Sequence, residues 1–420
     1  MSLSVAPVVL LAKQLEIEAL RCLQSRARLV GVIGHLIHAL QTERGASSVF
    51  LASAGKRFEA TRLELIGESE TVERVLREVF EEELSRSSAS NARIVSLIAW
   101  ILLGLDALPE LRNKVSNRHL AGHESVSAFS RLIAGLIALI FEVADSAVAP
   151  EVSRSLVSLF NLVEGKELAG QERAVGALAF GAGICDAAVR GRVLHLIDAQ
   201  ERSIRGFLEF AEKPVQTRWQ AMENTAFVAR LEDLRNTIRA AAPDDALDPG
   251  LSDAWFECSS ERITYMWSIQ REMVLALQKR CAVMIEAAER ALSDSEGLLR
   301  SLRDSPPERA NAIDRFFDPA LPVERSLGVG AAAAAVPGQP HSIIEVLQAQ
   351  SQHLANMESE LASAKRALAE RKVIERAKGV LMARHDISED AAYTQLRKVS
   401  MDRNVRLVDV AEALLASERA

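Results

Sequence analysis

The sequence predicts an all-α protein, and three observations carry that prediction. Leu, Ala, Glu and Arg dominate as far as about Arg300, while only 2 tyrosines occur in 420 residues. Apolar residues recur at the 3.6-residue spacing of a buried helix face, with little of the alternation that marks strands. Proline, glycine and aspartate cluster at breaks between those periodic runs. A composition 49% hydrophobic and 25% charged is globular, and the length calls for more than one core.

Taken in order, Leu29, Ile33, Leu36 (or Ile37) and Leu40 mark the first long helix. The runs Ile94–Leu105 and Leu132–Phe141 are the most apolar, yet shorter than the roughly 20 residues of a membrane span. They read as buried core helices, so no membrane partner is expected. Val5–Leu11 is too short for a signal-peptide core and lacks a basic flank, which predicts a soluble, cytoplasmic protein. Val152, Leu156, Leu159 and Val163 repeat the helical period; Pro150 and Pro214 fall at breaks, and Asp244–Ser252 reads as a loop ending in a helix cap. Long antiparallel helices imply bundles.

After Leu302 the composition changes. Ser305-Pro306-Pro307, Asp318-Pro319 and Gly328–Pro340 mark a linker over 301–342, between a helical domain at 1–300 and a C-terminal domain at 343–420. Leu347, Leu354, Leu361 and Leu368 then stand seven apart, with Ile343, Gln350, Met357 and Ala364 at the matching positions. This coiled-coil seam predicts a homodimer; a single amphipathic helix docked on its own chain is the other reading.

The four cysteines, Cys22, Cys185, Cys258 and Cys281, form no CxxC pair and no histidine lies at metal spacing. They read as small buried residues in a reducing compartment. No nucleophile–base pair or phosphate loop is present, so neither an enzyme nor a cofactor or metal site is expected.

An internal echo is more informative. Gln41-Thr42-Glu43-Arg44-Gly45-Ala46-Ser47-Ser48 returns as Gly170-Gln171-Glu172-Arg173-Ala174-Val175-Gly176-Ala177. Each follows an apolar run, sets Arg after Glu and continues in tiny residues, which predicts two similar four-helix-bundle-like halves. Tiny residues let neighbouring backbones come close and make a narrow site. A guanidinium in such a site stays charged and needs acceptors for its five donors. Glu43 or Glu172 could supply them, or a small planar oxyanion could, at roughly 4 kcal/mol per contact before desolvation.

On these residues, Leu29 to Glu286 resembles the nitrate- and nitrite-sensing NIT domain. Gln41–Ser47, Glu172–Gly183 and Trp255-Phe256 with Ser260-Glu261-Arg262-Ile263 carry the likeness. Ser260 stands in place of the family's threonine, Thr264 in place of aspartate and Gln270 in place of glutamate. The resemblance implies nitrate or nitrite as effector, held between two bundles by Arg44, Arg173 and Arg235, with Arg230 the rival for the third position.

Between Lys365 and Arg406 eleven basic residues face six acidic ones in an otherwise acidic chain of net charge −7. That is either a solvated face or a polyanion-binding surface. Ile374, Ala377 and Leu381 share a face, Ser388 is an N-cap candidate, and a last helix from about Leu407 buries Val410, Ala411 and Leu414. The spacing Ala377-Lys378-Gly379-x-Leu381-Met382, Ala392-Tyr393-x-x-Leu396-Arg397, Met401, Asn404 and Leu407-x-Asp409-Val410-Ala411 is similar to the ANTAR domain. Transcription antiterminators join the two domains in one chain. The resemblance implies binding of leader mRNA hairpins. Lys378, Arg384, Arg397, Lys398, Arg403 and Arg406 are then the phosphate contacts, and Tyr393 is either a stacking platform or a core residue. A DNA-binding regulator with a small-anion sensor is the alternative.

Overall fold

The computed structural model describes residues 5–85, 92–145, 150–242, 245–304, 369–370, 372–382, 384–385, 387, 389–403 and 405–417. Among the described residues it is all-α apart from one pair of two-residue strands. The linker segment 305–342, the heptad seam to Leu368, Ser388 and Asn404 lie outside the described residues. The chain forms two compact units, one of 1–155 with 271–361 and one of 156–270 with 362–420.

The first unit is built from α1 (Val5–Ala52), α2 (Glu59–Ser85), α3 (Ala92–Ser116) and α4 (Gly122–Asp145). α1 packs on α2 and α4, and α3 on α4. Leu29, Ile33, Leu36, Ile37 and Leu40, the predicted face of α1, are fully buried. The chain leaves α1 through Gly55 at φ 86, a left-handed conformation that costs glycine little. Glu124 Oε2 accepts from Ala121 N at 2.8 Å, capping α4 from its first turn. α3 and α4 extend well past the apolar runs read from sequence, α3 through Pro109. By length and composition both are long and apolar enough to cross a membrane, with mean hydropathy 1.9; half of the apolar window of α4 is buried within the protein.

The second unit holds most of α5 (Pro150–Ala182), then α6 (Ala187–Phe210), α7 (Lys213–Glu223), α8 (Ala226–Ala240) and the start of α9 (Leu251–Asp304). Strands β1 (Ile184–Cys185) and β2 (Asp245–Ala246) pair antiparallel between helices. Asp186 caps α6 by accepting from Val189 N at 2.7 Å, and Pro214 sits in the first turn of α7, where its missing N–H costs nothing. Phe180, Phe207 and Trp255 are fully buried in this core. Residues 372–382 form α10, followed by α11 (Glu389–Arg403) and α12 (Leu407–Ser417). Their small core is Ala377, Leu381, Ala392, Leu396 and Ala411, while Ile374, Val410 and Leu414, also expected in it, are partly buried against it.

Candidate effector site and output surface

The two Glu-Arg pairs sit in matching surroundings. Glu43 is fully buried and held by Arg112, Nε to Oε1 at 2.8 Å and Nη2 to Oε2 at 3.0 Å, with Ser69 Oγ donating to Oε2 at 2.6 Å. Glu172 is held in the same way by Arg235, whose Nε and Nη2 each donate at 2.7 Å, with Gln200 Nε2 at 2.6 Å. Both carboxylates are thus satisfied by an arginine from a later helix rather than by the arginine beside them. Burial alone would lower the Arg235 pKa, but Glu172, followed by Glu232, holds it above the ordinary arginine value.

The adjacent arginines point elsewhere, again in parallel. Arg44 Nη1 donates to Ser130 Oγ at 2.7 Å, 86 residues on, and Arg173 Nη1 to Ser260 Oγ at 2.9 Å, 87 residues on. Each serine lies on the last long helix against its half, α4 or α9. The Arg173 guanidinium also lies 4.9 Å over the Phe256 ring. Trp255 Nε1 donates to the Arg173 carbonyl at 3.1 Å. The Trp255 ring reaches that backbone because residue 176 is glycine: a Cβ there would stand 2.1 Å from the indole. The tiny residue after the second Glu-Arg therefore allows the close approach its sequence implied.

Arg44 belongs to the first unit, and Arg173 and Arg235 to the second. Arg235 is committed to Glu172, next in chain to Arg173, whereas Arg230 is exposed. Sequence reading missed Arg112, Ser69, Ser130 and Gln200, and gave Arg262 only as part of the family likeness. The near-equal offsets from Glu-Arg to serine in the two halves were the signal that could have found Ser130. Of the three departures from the resemblance, Ser260 still accepts from Arg173, and Thr264 Oγ1 turns to its own helix at the Ser260 carbonyl. Gln270 Oε1 is buried with no donor among the described residues.

The basic residues of the C-terminal helices divide into two groups. Arg384, Lys398 and Arg403 are exposed. Arg406 joins Glu370 at 3.0 Å and Asp409 at 3.2 Å. The others face α6. Arg397 pairs with Asp198 at 3.1 Å, and half-buried Tyr393 lies 4.0 Å beneath the Arg202 guanidinium, with His195 edge-on at 6.5 Å. Lys378 is buried, pairs with Glu375 at 2.8 Å and lines, with Tyr393, Asn161 and His195, a cavity of about 430 Å³.

The family model for nitrate and nitrite sensing, NIT, matches residues 35–278, and the ANTAR domain model matches 362–415. The chain belongs to the NIT family. The nitrate regulatory protein of Klebsiella oxytoca is 31% identical over 405 residues, 96% of this chain and 93% of that one. The solved structure of the NasR transcription antiterminator covers 97% of each chain at 27% identity with a TM-score of 0.61. The transcriptional regulatory protein PdtaR of Mycobacterium tuberculosis (strain ATCC 25618 / H37Rv) is 34% identical over 99 residues, 22% of this chain and 47% of that protein. With a NIT domain and an ANTAR domain in one chain, the protein is a nitrate-responsive antitermination regulator.

Proposed function

We propose that this NIT–ANTAR protein is a cytoplasmic homodimer, a regulator and not a catalyst, in which nitrate or nitrite controls the binding of leader mRNA hairpins. The observation that carries the effector site is the matched pair of serine-anchored arginines, Arg44–Ser130 and Arg173–Ser260. Serine hydroxyls orient each guanidinium, whose planar fork matches a planar oxyanion. Arg44 and Arg173 each supply an anion contact from their own half. Arg235 completes the set by holding Glu172, which would otherwise compete with the ligand for Arg173.

The output is gated by α6. Gln200 bonds Glu172 on one side of this helix, while Asp198 and Arg202 on the other engage Arg397 and Tyr393. A half-exposed ion pair contributes about 0–1 kcal/mol and a cation–π contact about 0.5–2 kcal/mol. Such a dock is weak enough for a ligand with a few kcal/mol of preference to shift. In the docked state Tyr393 and Arg397 cannot meet RNA; anion binding moves α6 and frees them.

Isothermal titration of the full-length chain with nitrate and nitrite tests the sensor. Binding is expected for wild type and its loss for Arg44→Ala; a wild type that binds neither anion contradicts the reading.

A further inference from the structure

α3 has a mean hydropathy of 1.9 over its apolar window, yet only 28% of that window is buried, against 50% for α4. Val95, Trp100 and Leu103 are 37%, 47% and 69% exposed, and Ala99 and Ala107 are exposed with them. Spaced three or four residues apart, Val95, Ala99, Leu103 and Ala107 make one stripe along the helix, with Trp100 at its edge towards α4. An apolar face of this extent marks an interaction surface.

The face carries both a ridge and a hole. The Trp100 ring lies across Gly135 of α4, where a Cβ would stand 2.1 Å from it, so the indole crosses the groove between the two helices and stays half exposed. About two turns further along α3 the groove is open. It holds about 580 Å³, with Ala107, Leu111 and Ala128 in its walls and Glu110, Lys114 and Arg131 among its charged groups. Large side chains make the ridge and small ones leave the hole. Because the two are displaced along one face, a two-fold axis near Leu103 carries the ridge of each copy into the hole of the other.

Charge and size agree with that arrangement. Arg93, which pairs with Glu142, stands at the start of α3, and Glu110, which pairs with Lys114, stands near its end. An antiparallel pairing turns Arg93 of one copy towards Glu110 of the other, whereas a parallel one sets like charges together. α3 is about 37 Å long, and with α4 beside it at about 8–10 Å the pair approaches the roughly 800 Å² per partner of a standard interface. Lipid is the poorer occupant, because Asp106 and Glu110 continue the exposed stripe and would be buried with it. We propose that the α3–α4 face docks a second copy of this chain, antiparallel about a two-fold axis near Leu103. This rests on the homodimer reading above and places the contact in the sensor, apart from the heptad seam.

Sedimentation velocity of the full-length chain over a concentration series tests this, with circular dichroism to show that each variant is folded. Wild type is expected to be a dimer. Leu103→Glu and Ala107→Glu, both at exposed positions, should keep the helical signal and raise the dimer dissociation constant about tenfold or more. A monomeric wild type contradicts the homodimer reading and this interface together. A dimer that survives both substitutions overturns this interface alone, and its loss in Leu354→Glu instead would move the contact to the heptad seam. Flotation of wild type with phosphatidylcholine–phosphatidylglycerol vesicles, lost in Leu103→Glu, would assign the face to lipid and overturn the proposal as well.

Discussion

Arg112 and Arg235 show what a single buried charge does in this protein. Each forks onto a carboxylate that has no exposure to exchange for it, so removing one partner strands the other. Arg112→Met is expected to cost about 3–5 kcal/mol in denaturant unfolding, and the Glu43→Leu/Arg112→Met double variant much less, because no lone charge remains. Lys166 on α5 is a second case. Its ammonium is fully buried, makes no hydrogen bond among the described residues and lies 4.6 Å from the Trp267 ring. Burial lowers its pKa to about 7, with Glu167 opposing. Between about pH 7 and 10 the unfolded chain therefore holds a proton that the folded chain does not. Stability should rise with pH across that window, by up to about 1.4 kcal/mol per unit, and Lys166→Met should remove that increment. Equal pH slopes for the two proteins in urea melts would contradict this. At this scale the Glu-Arg echo was readable because it is local. It could not disclose Arg112, Gln200 or Ser130, whose roles arise only when helices tens of residues apart are packed side by side.

Helices were legible wherever one face is buried throughout. The period through Leu29 and Leu40, and that through Val152 and Val163, corresponds to faces with essentially no exposure. Extents were less legible. α9 runs unbroken over 54 residues because no proline or glycine interrupts it before Gly297, and nothing in its local pattern announces that length. Close approach is an element-scale property too. Gly176→Ala would drive a methyl into the Trp255 ring and should push α5 from α9, weakening nitrate binding by titration more than tenfold; unchanged affinity would show that the contact is not needed. In α6, one turn carries both the bond to Glu172 and the dock for Tyr393. Gln200→Leu is therefore expected to leave nitrate affinity within about threefold while abolishing the effect of nitrate on RNA binding. In α11, Arg397→Ala/Lys398→Ala should weaken RNA binding and reduce the slope of log K against log salt by roughly 0.7 per lost contact, read in filter binding across a salt series.

The whole chain couples a charge-driven sensor to a small basic module. Three short helices around Ala377, Ala392 and Ala411 bury little apolar surface. On the proposed mechanism, such a module gains support from docking on α6, and its release exposes the RNA surface but gives up that support. The balance between the two states can be only a few kcal/mol if an ion as small as nitrate is to tip it. Domain order was readable from composition and spacing; the dock was not, because the contact of Asp198 with Arg397 joins residues 199 apart with no pattern between them. The most direct test is leader-RNA binding by the full-length protein with and without nitrate, in a fixed background of sodium gluconate. Nitrate is expected to tighten binding at least tenfold in wild type and not at all in Arg44→Ala. Equal RNA affinity with and without nitrate in the wild type would contradict the coupling.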